Sequence, residues 1–245
     1  MIYGKVLYLF LFACLFLFPQ PALSAEAKLG WAHESEASAV ISSGNADNQT
    51  YSVSQKTDYA WEKDAIKTHA RYLLGKALGE ETARNWAFGS RYERVIFPSL
   101  SGFLGYQLDS NIFANLDYRH TVDSGARYSW LSGSPHTLNS ELGYRLTDEK
   151  QLNPTQKLTS HFLRLYSEWG SQWSDTLASR LYVEYLPNLT RSNDWQLNSE
   201  ISLSVKLNSL LSFKTAYLFL FRNLPAGEGK KQLDTLFTNA LVAKF

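Results

Sequence analysis

The chain is poor in cysteine, has no charge excess and, past its first eighteen residues, has no long apolar run. Its single cysteine among 245 residues is Cys14. Cys14 lies inside an N-terminal apolar stretch. Removal of that stretch would exclude disulfides, thiolate nucleophiles and cysteine–zinc sites from the rest. A lipoprotein site at Leu11-Phe12-Ala13-Cys14 is excluded separately, because the residues after Cys14 stay apolar where a mature lipoprotein turns polar. Lys+Arg number 24 and Asp+Glu 23; without Lys5 the balance is 23 against 23. The basic excess of a nucleic-acid-binding protein is therefore missing. Beyond residue 18 no apolar run approaches the ~20 residues that a membrane helix needs. No two histidines stand at metal-ligand spacing. Gly227-Glu228-Gly229-Lys230 lacks the strand-to-helix context of a phosphate loop. No cofactor and no metal are expected.

What is present starts with a leader. Lys5 is followed by the apolar residues 6–18, then Pro19, Pro21 and the small-residue stretch Ala22-Leu23-Ser24-Ala25. This is the pattern of a cleaved secretory signal peptide, expected over residues 1–25, leaving 26–245 as one domain. That domain is rich in aromatics: the chain has 7 Trp, 14 Tyr and 14 Phe. Many aromatics without an apolar block suit a membrane barrel, whose strands alternate apolar-out and polar-in and so escape hydropathy averaging.

A period of two recurs along the domain. It predicts strands at 29–42, 49–61, 65–75, 84–94, 100–109, 114–130, 136–147, 159–173, 176–186, 194–207, 210–221 and 232–245. In the second, Tyr51, Val53, Tyr59 and Trp61 alternate with Ser52, Ser54, Lys56 and Asp58; in the tenth, Leu197, Ile201, Leu203 and Val205 alternate with Asn198, Glu200, Ser202 and Lys206. The fifth is the least regular. Connections alternate in length. The longer set (76–83, 148–158, 187–193 and 222–231 among them) is expected to face outward, and the shorter set (62–64, 174–175, 208–209) to face the periplasm. Trp61, Trp130 and Trp173 precede short turns, where a periplasmic aromatic girdle belongs. The expected fold class is all-β: an antiparallel transmembrane β-barrel of about twelve strands.

The last strand, QLDTLFTNALVAKF, alternates Leu233, Thr235, Phe237, Asn239, Leu241 and Ala243 and stops on Phe245. It resembles the C-terminal strand of bacterial outer-membrane barrels, which the barrel-assembly machinery recognises. The resemblance implies Phe245, Leu241 and Phe237 as the assembly signal. Further stretches carry a family resemblance: Ser42-Ser43-Gly44-Asn45 with Asn48-Gln49-Thr50, Ala70-Arg71-Tyr72, Leu116-Asp117-Tyr118-Arg119, Glu141-Leu142-Gly143-Tyr144 and the terminal Ala240-Leu241-Val242-Ala243-Lys244-Phe245. On these the chain resembles the DUF481 family, described as salt-induced outer-membrane proteins of the YdiY type. One stretch departs: the family's Gly-Ala-Gly run before a Gly-Tyr is here Gly125-Ala126-Arg127-Tyr128. The resemblance implies location in the bacterial outer membrane, contact with membrane lipid and lipopolysaccharide, and no particular substrate.

The expected inner face carries charges of both signs on neighbouring strands: Arg91, Glu93, Asp117, Arg119, Asp123, Arg127, Glu141, Arg145, Arg164, Glu168, Arg180 and Glu184. Opposite charges so placed can cross-pair. Two readings stay open. The ladder is structural, with guanidinium forks satisfying buried carboxylates, or it lines a pathway selecting small solutes, with Tyr166 and Tyr182 beside it. Enzyme candidates are sparse. His33 and Ser35 share a strand face near the periplasm; His136 and Ser140 lie four apart, with Glu141 on the opposite face; His120 is expected on the lipid face and His161 at the outer rim. Asp47, Glu80, Glu81, Asp148 and Glu149 are expected in outward loops, as solvated acids or as Ca²⁺ or lipopolysaccharide contacts. The expected role is a non-enzymatic, porin-like envelope barrel, either a small-solute channel or a salt-stress protein. The alternative is a barrel hydrolase acting on phospholipid or lipid A.

Overall fold

The computed structural model describes residues 29–42, 48–225 and 231–245. The expected signal peptide at 1–25 and Asp47 lie outside the described residues. Twelve strands follow one another: β1 (Gly30–Ser42), β2 (Asn48–Trp61), β3 (Asp64–Ala77), β4 (Glu80–Phe97), β5 (Leu100–Asn111), β6 (Leu116–Ser132), β7 (His136–Gln151), β8 (Gln156–Gln172), β9 (Leu177–Leu186), β10 (Gln196–Lys206), β11 (Leu211–Arg222) and β12 (Leu233–Lys244). Each pairs antiparallel with its sequence neighbours, and β1 pairs with β12, so the sheet closes into a barrel. Closure gives every strand a partner on both sides, as lipid requires of a spanning sheet, although β1 and β12 pair only from Glu34↔Lys244 to Ala37↔Leu241.

The alternation read from the sequence sets the two faces. Register pairs such as Val53↔Tyr72, Ala70↔Phe88, Tyr92↔Leu104 and Leu142↔Leu165 hold apolar side chains on the outer wall. The residues between them point inward. Trp31, Trp61, Trp130 and Trp173 are all exposed on this wall, at the end where the short connections lie.

Several strands outrun their sequence patterns. β4 begins at Glu80, β7 continues to Gln151 and β8 starts at Gln156. The expected loops at 76–83 and 148–158 shrink to the turn at Leu78-Gly79 and to residues 152–155. Leu78 and Gly79 both take positive φ (51° and 84°), which lets so short a turn close. Glu80, Glu81, Asp148 and Glu149 therefore belong to strands, correcting their placement in loops. The physical reason is that ladder hydrogen bonds carry on past the lipid boundary, where water no longer demands apolar alternation. Of the outward connections, 187–195 and 223–232 stay long.

Candidate lumen network

The ladder converges on the side of the barrel formed by β4 to β9. Arg164 on β8 is buried, and its guanidinium contacts three carboxylates: Glu141, Glu184 at 2.6 Å and Asp123 at 3.9 Å. Arg91 on β4 forks onto Glu141 on β7 at 3.0 and 2.8 Å, reaching past two intervening strands. Arg145 forks onto Asp123 at 2.7 and 2.8 Å and also reaches Glu184 at 3.1 Å. Glu184 accepts a further bond from Asn198 at 2.9 Å. Two-oxygen, two-nitrogen pairing of this kind is the geometry in which arginine satisfies a buried carboxylate.

Glycine makes the long reach of Arg91 feasible. Gly125 on β6 and Gly143 on β7 pair directly, and Phe103 on β5 pairs with Gly125. A Cβ on Gly143 would stand 2.7 Å from the Ser124 carbonyl oxygen and 3.2 Å from the Phe103 ring. The Phe103 ring thus lies flat over a floor without side chains. The guanidinium carbons of Arg91 and Arg164 sit 3.8 and 5.8 Å from its centroid, a cation–π arrangement. The same device recurs at Gly89, where the His69 ring occupies the space a Cβ would take and bonds Gln107 at 3.1 Å.

Lower in the lumen, Glu93 gathers Lys67 at 2.7 Å, Arg91 at 2.7 Å and Arg127 at 3.5 Å. Arg180 pairs with Glu168, which also accepts from the Tyr166 hydroxyl at 2.6 Å. The Tyr166 and Tyr182 rings stack 5.6 Å apart. Arg119 pairs with Asp109 at 2.9 Å. Asp117 departs from the inward set. It falls at a bulge in the β6–β7 ladder and pairs with Lys150 at 2.7 Å, whose ammonium lies over the Tyr118 ring. An extra residue at a bulge reverses the side-chain phase, which simple alternation cannot anticipate.

The outer end carries a cluster that alternation did not single out. Asp194, in the connection 187–195, is fully buried and meets Arg191 at 2.9 Å and Arg222 at 3.1 Å. Arg222 also reaches buried Glu149 at 3.3 Å. Glu149 continues the Glu141 and Arg145 face of β7, and extending strand 7 by four residues would have revealed it. This connection is held across the mouth by its own acid.

The other side of the barrel, β1–β3 with β10–β12, is differently furnished. Lys214 on β11 reaches across β12 to Glu36 on β1 at 3.1 Å and stands 3.8 Å from Glu200. Lys56 pairs with Glu34 at 2.7 Å with half of its side chain exposed. Arg71, mid-way along β3 on the inward face, is exposed and has no ion pair or hydrogen bond among the described residues.

His33, His120, His136 and His161 face outward and find partners other than those a hydrolase needs. His33 Nδ1 lies 3.1 Å from the Thr57 hydroxyl, while Ser35 bonds Gln55. His136 bonds Ser171 at 3.0 Å, and Ser140 bonds Ser167 at 3.3 Å. His120 bonds the Tyr106 hydroxyl at 2.7 Å and His161 bonds that of Tyr144. Among the described residues no carboxylate bonds any of these four rings. Phe245 packs its ring 5.3 Å from that of His33, and the two residues exchange backbone hydrogen bonds; Leu241 and Phe237 lie exposed on the outer wall.

A closed twelve-stranded antiparallel barrel with an apolar outer wall and a charged lumen defines an outer-membrane β-barrel protein. Two solved structures share this architecture. The translocator domain of autotransporter NalP from Neisseria meningitidis aligns at a TM-score of 0.50 and 11% identity, over 91% of this chain and 90% of that one. The NanC porin aligns at 0.51 and 10% identity, over 87% and 97%. No curated protein matches the sequence. The family described as "Protein of unknown function, DUF481" matches residues 35–245, and the chain belongs to it.

Proposed function

We propose that the protein is a non-enzymatic envelope channel. Small solutes, anions preferentially, pass along the side of the lumen framed by β1–β3 and β10–β12, while the ion-paired ladder braces the opposite wall. Arg71 carries this reading. A cation exposed to the lumen without a counter-ion lowers the barrier for an anion and raises it for a cation. The ladder arginines are tied to carboxylates and so are less available for that part. Passage of small osmolytes also accords with the salt association that the family resemblance implies.

The test is single-channel conductance in planar bilayers, on protein whose gel mobility is heat-modifiable. Wild-type protein should give defined steps with anion preference. Arg71→Glu should shift the anion-to-cation permeability ratio by roughly fivefold, the factor equivalent to about 1 kcal/mol of Coulomb energy in water-like surroundings. Silence from a correctly folded barrel, or selectivity unmoved by the substitution, would overturn the proposal.

A further inference from the structure

The closure of the barrel is incomplete in a particular place. Between β1 and β12 the ladder runs only from Glu34↔Lys244 to Ala37↔Leu241, below which His33 and Phe245 exchange bonds of 2.8 and 3.1 Å. β1 continues to Ser42 against β2 alone, and β12 reaches back to Leu233 against β11 alone. Among the described residues no backbone bond joins 38–42 to 233–240. By contrast β2 and β3 pair without a break from Asn48↔Ala77 to Trp61↔Asp64, and the shorter β8–β9 ladder, Leu165↔Tyr185 to Gln172↔Ala178, is continued by the bridge Phe162↔Asn188.

The inner wall beside this split carries several large apolar residues, against the rule for lumen positions, with Ser38, Thr238 and Asp234 as its polar members. Lys214 faces inward, so Ala216, Leu218 and Leu220 do too, two residues apart on the same strand. Leu236 pairs with Leu218 and shares its face. Val40 shares the face of Glu34 and Glu36 on β1 and is 51% exposed; Leu220 is 38% exposed. The outer wall of the same stretch carries Tyr217, Phe219 and Phe237, and Phe237 is 62% exposed, as lipid contact requires. An unpaired strand edge in hydrocarbon costs several kcal/mol per polar group. The split is therefore a place where lumen water and lipid meet.

We propose that the outer half of the β1–β12 seam is a lateral portal for a single-chain amphiphile. Its alkyl chain lies along Val40, Leu218, Leu220 and Leu236, and its polar head stays in lumen water. The lane is continuous with the lipid surface through the split, so an alkyl chain is the occupant that the adjoining medium supplies. Leaving these leucines against water costs about 25 cal/mol per Å² of apolar area, which a bound chain recovers. Small Ser38 and Ala39 at the β1 edge leave the entrance clear of bulky side chains. The portal stands independently of solute conduction, because the lane does not include Arg71.

The test uses the full chain in phospholipid vesicles and a palmitate analogue bearing a mid-chain diazirine. On illumination the probe loses N₂ and its carbene inserts into neighbouring bonds, and the adducts are mapped by mass spectrometry. Adducts are expected at Val40, Leu218, Leu220 and Leu236, suppressed by excess palmitate. Adducts at outward Phe219 and Phe237 report ordinary lipid contact and serve as the internal standard. Replacing both leucines (Leu218→Gln with Leu236→Gln) should cut labelling of the remaining lane residues at least about tenfold relative to that standard, since two of the four apolar contacts of the alkyl chain become polar. Labelling confined to Phe219 and Phe237 in the wild-type protein would overturn the portal. Conductance is read separately: a silent barrel with a labelled lane sinks the channel and keeps the portal, and a conducting barrel with an unlabelled lane does the reverse.

Discussion

Between β4 and β9 the lumen is crossed by guanidinium–carboxylate pairs that leave Arg164, Glu141 and Glu184 buried. Between β10 and β3 it is lined by Ser52, Ser54, Ser202 and Ser204, an exposed Arg71 and the leucines of β11 and β12. The outer walls of the two sides follow the same alternation. The inner walls differ because long side chains on β4–β9 meet over glycine in one network, whereas on the opposite side the pairs of Lys214 and Lys56 stand among residues that are mostly short or apolar. A polar lumen can thus be filled or left wet with the same strand number, according to where small residues let long ones cross. The ladder joins one side of the barrel to itself, and the seam on the other side is only partly zipped.

The contrast is sharpest at Arg164. Arg164→Met removes the cation shared by Glu141 and Glu184, leaving each with one arginine. Breaking a buried pair of this kind should cost about 3–5 kcal/mol, read as a lowered urea midpoint of tryptophan fluorescence in vesicles. Arg71→Met, on the wet side, should move that midpoint by less than about 0.5 kcal/mol. Equal losses at the two positions would break the comparison. Next comes the glycine floor. Gly143→Val forces a side chain into the Ser124 carbonyl and the Phe103 ring and should cost about 1–3 kcal/mol. Gly133→Ala, with open space around its Cβ, should be silent; a stable Gly143→Val protein would mean that Phe103 does not need its floor. The smallest effect is expected at the pair that leaves the lumen. Lys150→Met should barely move the midpoint, and what shift there is should fade at high salt, as a partly exposed pair with Asp117 implies.

Much of the barrel was legible residue by residue. Alternation is a local property of the extended chain, so Tyr51 and Val53 facing out, or Arg145 and Glu141 facing in, followed without knowledge of any neighbour. Even in the irregular fifth strand the alternation of Leu104, Tyr106 and Leu108 marks the face that pairs with outward Tyr92 and Phe88. Strand ends were harder: Glu149 was assigned to a loop because the apolar half of the pattern stops at Leu146, although the backbone ladder does not. Asp117 was misplaced by a bulge, which shifts the phase without leaving a mark in the alternation.

The sequence by itself determined the architecture of this protein, a twelve-stranded barrel with an apolar wall, a charged interior and tryptophans near the short turns, because each of those depends on residue type at a spacing of two. Only the tertiary structure decided who meets whom across the lumen. Arg91 finds Glu141, Arg222 finds Asp194 and Glu149, and Arg71 finds no ion pair among the described residues, through strand tilt, register and closure, which bring residues together without regard to their separation along the chain. It also decided where the seam stops. Every strand carries a full set of backbone donors and acceptors, and nothing in the side chains of β1 and β12 announces that their pairing ends at Ala37 and Leu241.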